Sequence, residues 1–272
     1  MNTERQPFAK RVSERMLLAL SRAPGESDCP EAAEEWDMRN ALDLVRREFP
    51  DFDRRIAGKA VLDFGCGNGW QSVAMAHAQA SYVMGVDTND RCLKNARLLA
   101  GRLGLPAERV EFVSTLPDGS RGRFDLAISQ NSFEHFPDPA LILQQMASAL
   151  RPGGEVLITF GPPWFSPYGS HMFFFTRVPW VNILFPERTV MRVRRQFRSD
   201  GATRYEEVEG GLNRMTVARF ERLIRESGLR LEWKRYRCVK GIDRLQALPR
   251  LRELFITHVS CVLRKDRGPD PA

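Results

Sequence analysis

Apolar residues along this chain fall into short unbroken runs, separated by stretches in which apolar positions recur three and four apart. From residue 59 the two patterns alternate. Runs near 59–64, 81–87, 109–114, 123–130 and 153–160 predict strands, and the helical spacing between them predicts helices near 69–79, 90–103 and 138–149. Such alternation argues for a parallel sheet covered on both faces and reached through right-handed crossovers. Ahead of it, Phe8 to Leu20 and Ala32 to Phe49 carry apolar residues at helical intervals, broken by Pro24-Gly25 and Cys29-Pro30. Residues 1–58 are therefore expected to form a helical cap over the sheet edge or the mouth of its site.

After Phe160 the rhythm stops. Pro162, Pro163, Pro167, Pro179 and Pro186 mark 161–215 as an insertion into the 59–160 core. Thr216 to Ser227 reads as a helix capped by Thr216 and stopped by Gly228. The strand candidates Leu229 to Val239 and Leu254 to Leu263 follow, so that 216–265 completes the core and 266–272 is expected to be a disordered tail.

The first strand enters a turn that few side chains can fill: Val61-Leu62-Asp63-Phe64-Gly65-Cys66-Gly67-Asn68-Gly69. Three alternating glycines let the backbone pass close to a ligand before a helix begins near Trp70. A dinucleotide site expects G-x-G-x-x-G, and here the glycines are one residue tighter. The second strand ends at Asp87, at the distance expected of an acid that accepts hydrogen bonds from ribose hydroxyls.

These residues resemble the class I S-adenosylmethionine-dependent methyltransferases, with Val61 to Gly69 as the first motif and Gly85-Val86-Asp87 as the second. Phe124 to Ser129 resembles the family's fourth strand, and Leu150 to Ile158 the turn and fifth strand after it. The resemblance implies an α/β, Rossmann-like, doubly wound sheet of seven strands, mostly parallel, with the last two strands as an antiparallel hairpin. It implies S-adenosylmethionine as cofactor and S-adenosylhomocysteine as product. Asp63, Gly65, Gly67 and Gly69 would then hold the methionine portion, and Asp87 and Thr88 the ribose side. The family often places an acid after the third strand to meet adenine; this chain has Ser114 and Thr115 there, so one of them or a backbone group would substitute. Gln130 and Asn131, after the fourth strand, would also touch cofactor. Cys66 sits in the same turn, and a small packing residue is its plainer reading.

Two histidines are candidates for acid-base work. His135 follows Glu134 in a Glu-His pair common at this point in small-molecule methyltransferases, often with a structural role. His171 lies just past the fifth strand, where an imidazole suits proton removal from a hydroxyl; burial among aromatics is the alternative. Trp164, Tyr168 and Ser170 are candidate acceptor contacts. Eight of the 26 aromatic residues lie between 164 and 185. They form a lid, a membrane-facing piece beside Arg188 to Arg204, or a core for the insertion.

The chain has a net charge of +7. Residues 161–272 hold 22 Lys/Arg against 12 Asp/Glu, and the first 160 hold 19 against 22. The basic half would suit an anionic acceptor, a membrane surface or a polyanion, or is simply a solvated face. No run reaches the ~18 to 20 apolar residues of a membrane span, and the charged amino terminus argues against a secretory signal, so a cytoplasmic location is expected, with peripheral membrane contact as an alternative. The five cysteines contain no C-x-x-C pair, and no metal site is expected.

Together these features predict methyl transfer by in-line displacement to a small-molecule or glycan-like acceptor, at a hydroxyl oxygen. The alternatives are a methyltransferase acting on RNA, protein or a membrane lipid, a nicotinamide-dinucleotide oxidoreductase, and a catalytically silent cofactor-binding scaffold. Aromatics do not interleave with the basic run as in a stacking platform, which argues against nucleic acid.

Overall fold

The computed structural model describes residues 8–22, 40–208 and 210–267. Its centre is a seven-stranded sheet of order β3-β2-β1-β4-β5-β7-β6: β1 (Ala60–Phe64), β2 (Tyr82–Val86), β3 (Val110–Val113), β4 (Phe124–Gln130), β5 (Leu150–Phe160), β6 (Arg230–Cys238) and β7 (Ile256–Arg264). The first five run parallel, and β7 is antiparallel to both β5 and β6. In β1 and β2 every residue after the first is buried, as expected of parallel strands with helices on both faces.

Two apolar layers flank the sheet. One face is covered by α4 (Trp70–His77) and α5 (Asp90–Arg102), joined by the short α2 (Asp43–Glu48) and α3 (Phe52–Ile56). The other carries α6 (Pro139–Ala149) and α9 (Val217–Glu226). Helix starts follow the side chains: Asn89 accepts from two backbone N–H groups of α5, Asp138 caps α6 with Pro139 in its first turn, and Thr216 caps α9. Gly228, at φ +71°, ends α9.

The amino-terminal expectation needs correction. The Ala32 to Phe49 pattern yields a helix only over α2 among the described residues, residues 32–39 lying outside them, and a separate α3 follows. Nor does the first helix, α1 (Phe8–Ala19), join the sheet. Its Leu17 enters a third apolar cluster, built from the insertion with α7 (Val181–Leu184) and α8 (Glu187–Arg194), and Ser21 forms a bridge with Thr176. Within the aromatic segment Phe175 and Phe185 are buried in this cluster, as a core for the insertion would have them, whereas Phe165, Tyr168 and Phe173 are exposed.

The glycine turn after β1 is held against α5. Gly69 has φ +80° and begins α4, and an added Cβ would lie 2.5 Å from the Cβ of Ala96. Gly69→Ala is therefore expected to cost ~1 to 3 kcal/mol, through left-handed strain and overpacking. Gly101, inside α5 with nothing within 4 Å of its would-be Cβ, supplies the opposite case. Gly101→Ala should raise stability by up to ~1 kcal/mol, as an exposed helical site exchanges glycine for alanine. Chemical denaturation of the two variants measures both signs.

Candidate active site

Parallel register brings several strand ends to one edge. Asp63 pairs with Gly85 and Ile128, and Gln130 with Thr159, so the turns after β1, β2, β4 and β5 leave the sheet side by side. Ligands of such sheets sit beyond the carboxyl ends of the strands.

Asp63 is 1% exposed and accepts hydrogen bonds from the Ser72 hydroxyl at 2.6 Å and the Gln71 amide at 3.1 Å. Burial raises its pKa to about 6, against the pull of those two donors, and the charge of Asp87 adds to the rise. Asp87 reaches back to the turn: Oδ2 accepts from the Gly67 N–H and Oδ1 from the Asn89 N–H, both at 2.8 Å. Each oxygen retains a second lone pair. Beside Gly67, at φ +53°, nothing lies within 4 Å of a would-be Cβ, so this turn opens onto free space. Cys66 has its thiol pKa pushed up by burial, and its Sγ would stand 2.9 Å from a Cβ on Gly85. It packs beneath the turn.

Thr88 is exposed after β2, and Ser114 and Thr115 are exposed just past β3. Gln130 ends β4 with its side-chain oxygen buried and without a partner, and the side-chain oxygen of Gln71, in α4, is likewise buried and unpartnered. Asn131, at φ +50°, donates its N–H to the Thr159 carbonyl at 2.8 Å. Ser132 then ties this loop to the glycine turn, its hydroxyl donating to the Gly65 carbonyl at 3.1 Å.

Glu134 is buried, accepts from the Gly161 N–H at 3.0 Å, and leaves its other oxygen unpartnered. Burial raises its pKa while the neighbouring His135 opposes the rise. It braces the loop after β4 against the start of the insertion. His135 Nδ1 lies 2.7 Å from the Gly211 carbonyl, and its ring meets that of His171 edge-on, centroids 5.3 Å apart. His171, at φ +55°, has Nε2 sealed from solvent with no partner. Burial, and then the charge of His135, lower its pKa to about 4 against a backbone hydrogen bond at Pro162.

Both histidines line a cavity of about 590 Å³, with Met172, Phe174, Arg194, Arg198, Val208 and Leu212 among its other walls. Trp164, Tyr168 and Ser170 are not among them. Trp164 packs on Tyr205 with centroids 4.9 Å apart, Tyr168 on Phe173 at 5.0 Å, and Ser170 is buried. The basic run is likewise not a uniformly solvated face: Arg194 is 4% exposed and paired with Asp200 through bonds of 2.6 and 2.5 Å. It turns inward because α8 buries one side of itself under the insertion.

Sequence reading passed over Asn213. Its backbone N–H donates to the Glu134 carbonyl at 3.0 Å, and its side-chain amide to the carbonyls of Phe133 and Phe136 at 2.9 and 2.8 Å. These bonds clamp the end of the insertion onto the loop after β4. A lone asparagine after Gly-Leu carries no local signal of that role.

The leftover polar groups at the strand edge fit S-adenosylmethionine. Two unpartnered amide oxygens, two acidic side chains and an open turn match a ligand that brings a ribose diol, an ammonium and an adenine amino group. Among the described residues, no group of three or more His, Cys, Asp or Glu side chains could hold a metal ion.

Residues 33–232 match a family model described as a methyltransferase domain. A ubiquinone biosynthesis O-methyltransferase of Xanthomonas euvesicatoria is 36% identical over 121 residues, which cover 44% of this chain and 50% of that one. The chain thus spans about half the length of the curated relatives it matches. Among solved structures, an S-adenosylmethionine-dependent methyltransferase of Mesorhizobium loti aligns at TM-score 0.53 and 19% identity, covering 84% of this chain and 100% of that one. The [4+2]-cyclase SpnF aligns at TM-score 0.55 and 15% identity, with 96% and 97% covered. These structural likenesses establish the fold, and function rests on sites rather than folds. With the family match spanning most of the chain and the strand order and glycine turn in agreement with it, this chain belongs to the class I S-adenosylmethionine-dependent methyltransferases.

Proposed function

We propose that the protein is an O-methyltransferase whose acceptor is a hydroxylated small molecule or glycan-like compound, held in the cavity beside His171. One observation carries this reading: the partnerless Nε2 of His171 faces no solvent, yet its residue lines a cavity of about 590 Å³, within the ~300 to 1,000 Å³ usual for small-molecule sites. The names of curated relatives, such as the Xanthomonas O-methyltransferase, support oxygen as the methylated atom. The family match and the tight glycine spacing speak against the dinucleotide oxidoreductase.

The bound cofactor would supply a methyl group on a positively charged sulfur, already activated for displacement. What remains for the chain is placement, deprotonation and exclusion of water. Asp63 and the glycine turn would hold the methionine portion, Asp87 the ribose diol, and Gln130 the edge nearest the acceptor. His135, fixed by the Gly211 carbonyl, keeps the ring of His171 oriented. His171 Nε2 would take the hydroxyl proton as the oxygen attacks. Aligning the reactants can lower the barrier by ~7 to 11 kcal/mol, so positioning outweighs the base.

Asp63 gives the site a pH signature. Its folded pKa, about 6, is raised from 3.8, so its contribution to stability is fully present below about pH 4 and is lost as pH rises through 6. A cation needs the ionised form. Calorimetric affinity for S-adenosylhomocysteine should therefore be steady above pH 7 and weaken as pH falls through 6, and a flat profile from pH 5 to 8 would detach Asp63 from the ligand.

Function is tested by incubating the protein with methyl-labelled cofactor and, separately, a panel of hydroxylated small molecules with and without an acidic group, a mixed RNA and a denatured protein. Label appearing in an ether of a small hydroxylated compound is the expected result. Label in RNA or protein alone would replace this reading with one of the macromolecular ones.

A further inference from the structure

The cavity beside the histidines has a basic wall that methyl transfer does not require. Arg198, four residues beyond α8, has its guanidinium 5.0 Å from the ring centroid of Phe174. Among the described residues it has no carboxylate within ion-pair distance, since Asp200, although it feels the charge of Arg198, is engaged by both terminal nitrogens of Arg194. Arg194 contributes a second feature. Its side chain is almost wholly buried, yet its Nε has no partner. A buried N–H donor without an acceptor is costly, and Arg194 is one of the residues that line the cavity. Met172, Phe174, Val208 and Leu212 supply apolar surface to the same cavity.

Charges in this cavity do not cancel. The Arg194 guanidinium is matched by Asp200, whose carboxyl is held down to about 2 chiefly by that hydrogen bond. Burial keeps His171 neutral. Arg198 is left as an unmatched positive charge, steadied on an aromatic face and pre-organised for a flat anion.

We propose that the acceptor carries an acidic group, a carboxylate or its like, and that Arg198 is the specificity-determining residue that binds it, with the Arg194 Nε–H as a second donor. The proposal rests on the reading of this cavity as the acceptor site. It narrows the substrate class to hydroxylated acids. The apolar walls hold the carbon frame, the hydroxyl meets His171, and the acid meets the guanidinium. A neutral phenol would leave Arg198 without a counter-charge and the buried Nε–H without an acceptor, so binding should discriminate between two molecules that differ in the acid alone.

The test uses the full chain saturated with S-adenosylhomocysteine and titrates it with 3,4-dihydroxybenzoate or with catechol, for wild type and Arg198→Gln. Expected is at least tenfold tighter binding of the carboxylated probe by wild type, an advantage that disappears in Arg198→Gln while affinity for S-adenosylhomocysteine and the melting temperature stay unchanged. Equal affinity for the two probes, no binding of the carboxylated one, or an advantage that survives the substitution would each overturn the proposal. Absence of any heat from S-adenosylhomocysteine itself is a separate failure, that of the methyltransferase reading, and the proposal falls with it.

Discussion

His171→Ala is expected to lower kcat by ~10²- to 10⁴-fold, the range for loss of a positioned general base, with affinity for S-adenosylhomocysteine unchanged. The separation matters because His171 stands on the cavity side, after β5, while the groups proposed to hold the cofactor follow β1, β2 and β4. Its depressed pKa, about 4, shapes the pH profile. The free base persists across the neutral range, so the acid limb of kcat in wild type should break far below the ordinary histidine value of 6.5. A weak base at rest becomes a stronger one at the moment of use: negative charge developing on the acceptor oxygen favours the imidazolium, as any nearby opposite charge does. The same depression acts on folding. A histidine whose folded pKa lies below its unfolded value loses stability as pH falls from 6.5 toward 4, because the unfolded chain takes the proton first. An acid break near 6.5, or a variant retaining full kcat, would remove His171 from the chemistry.

Asp87→Ala should act on the other half of the site. The side chain supports the Gly67 and Asn89 backbone amides and is proposed to meet the ribose diol. Hydrogen bonds to a charged acceptor are worth ~1.5 to 3 kcal/mol, which corresponds to roughly 10- to 150-fold weaker binding of S-adenosylhomocysteine. Asp87→Asn separates the two duties. It retains one acceptor oxygen for the turn but loses the charge, and should fall between wild type and alanine. Unchanged affinity in Asp87→Ala, read by calorimetry on folded protein, would take the residue out of the site.

The strands were legible to within a few residues because parallel core strands need apolar residues on both faces, and Val61-Leu62 or Leu126-Ala127-Ile128 carry that requirement without interruption. Caps were legible for the same local reason, as at Thr216. The glycine turn was legible because its tight backbone path admits few side chains, and Asp87 because it lies a fixed distance beyond. What stayed hidden depends on partners far along the chain. His135 is held by Gly211, 76 residues away, and Asn213 clamps Phe133 from 80 residues away; no periodicity records either pairing. Arg194 read as one cation in a solvated run, since nothing local distinguishes an arginine that turns inward from its neighbours that do not. The apolar pattern of α1 announced a buried side but not which cluster would bury it.

The insertion, α1 included, closes over its own apolar cluster rather than borrowing the layers that sandwich the sheet. Local opening of such a unit need not melt the scaffold beneath it. Substitutions in the walls proposed to meet the acceptor should therefore change which compound is bound while leaving the melting point of the cofactor platform in place.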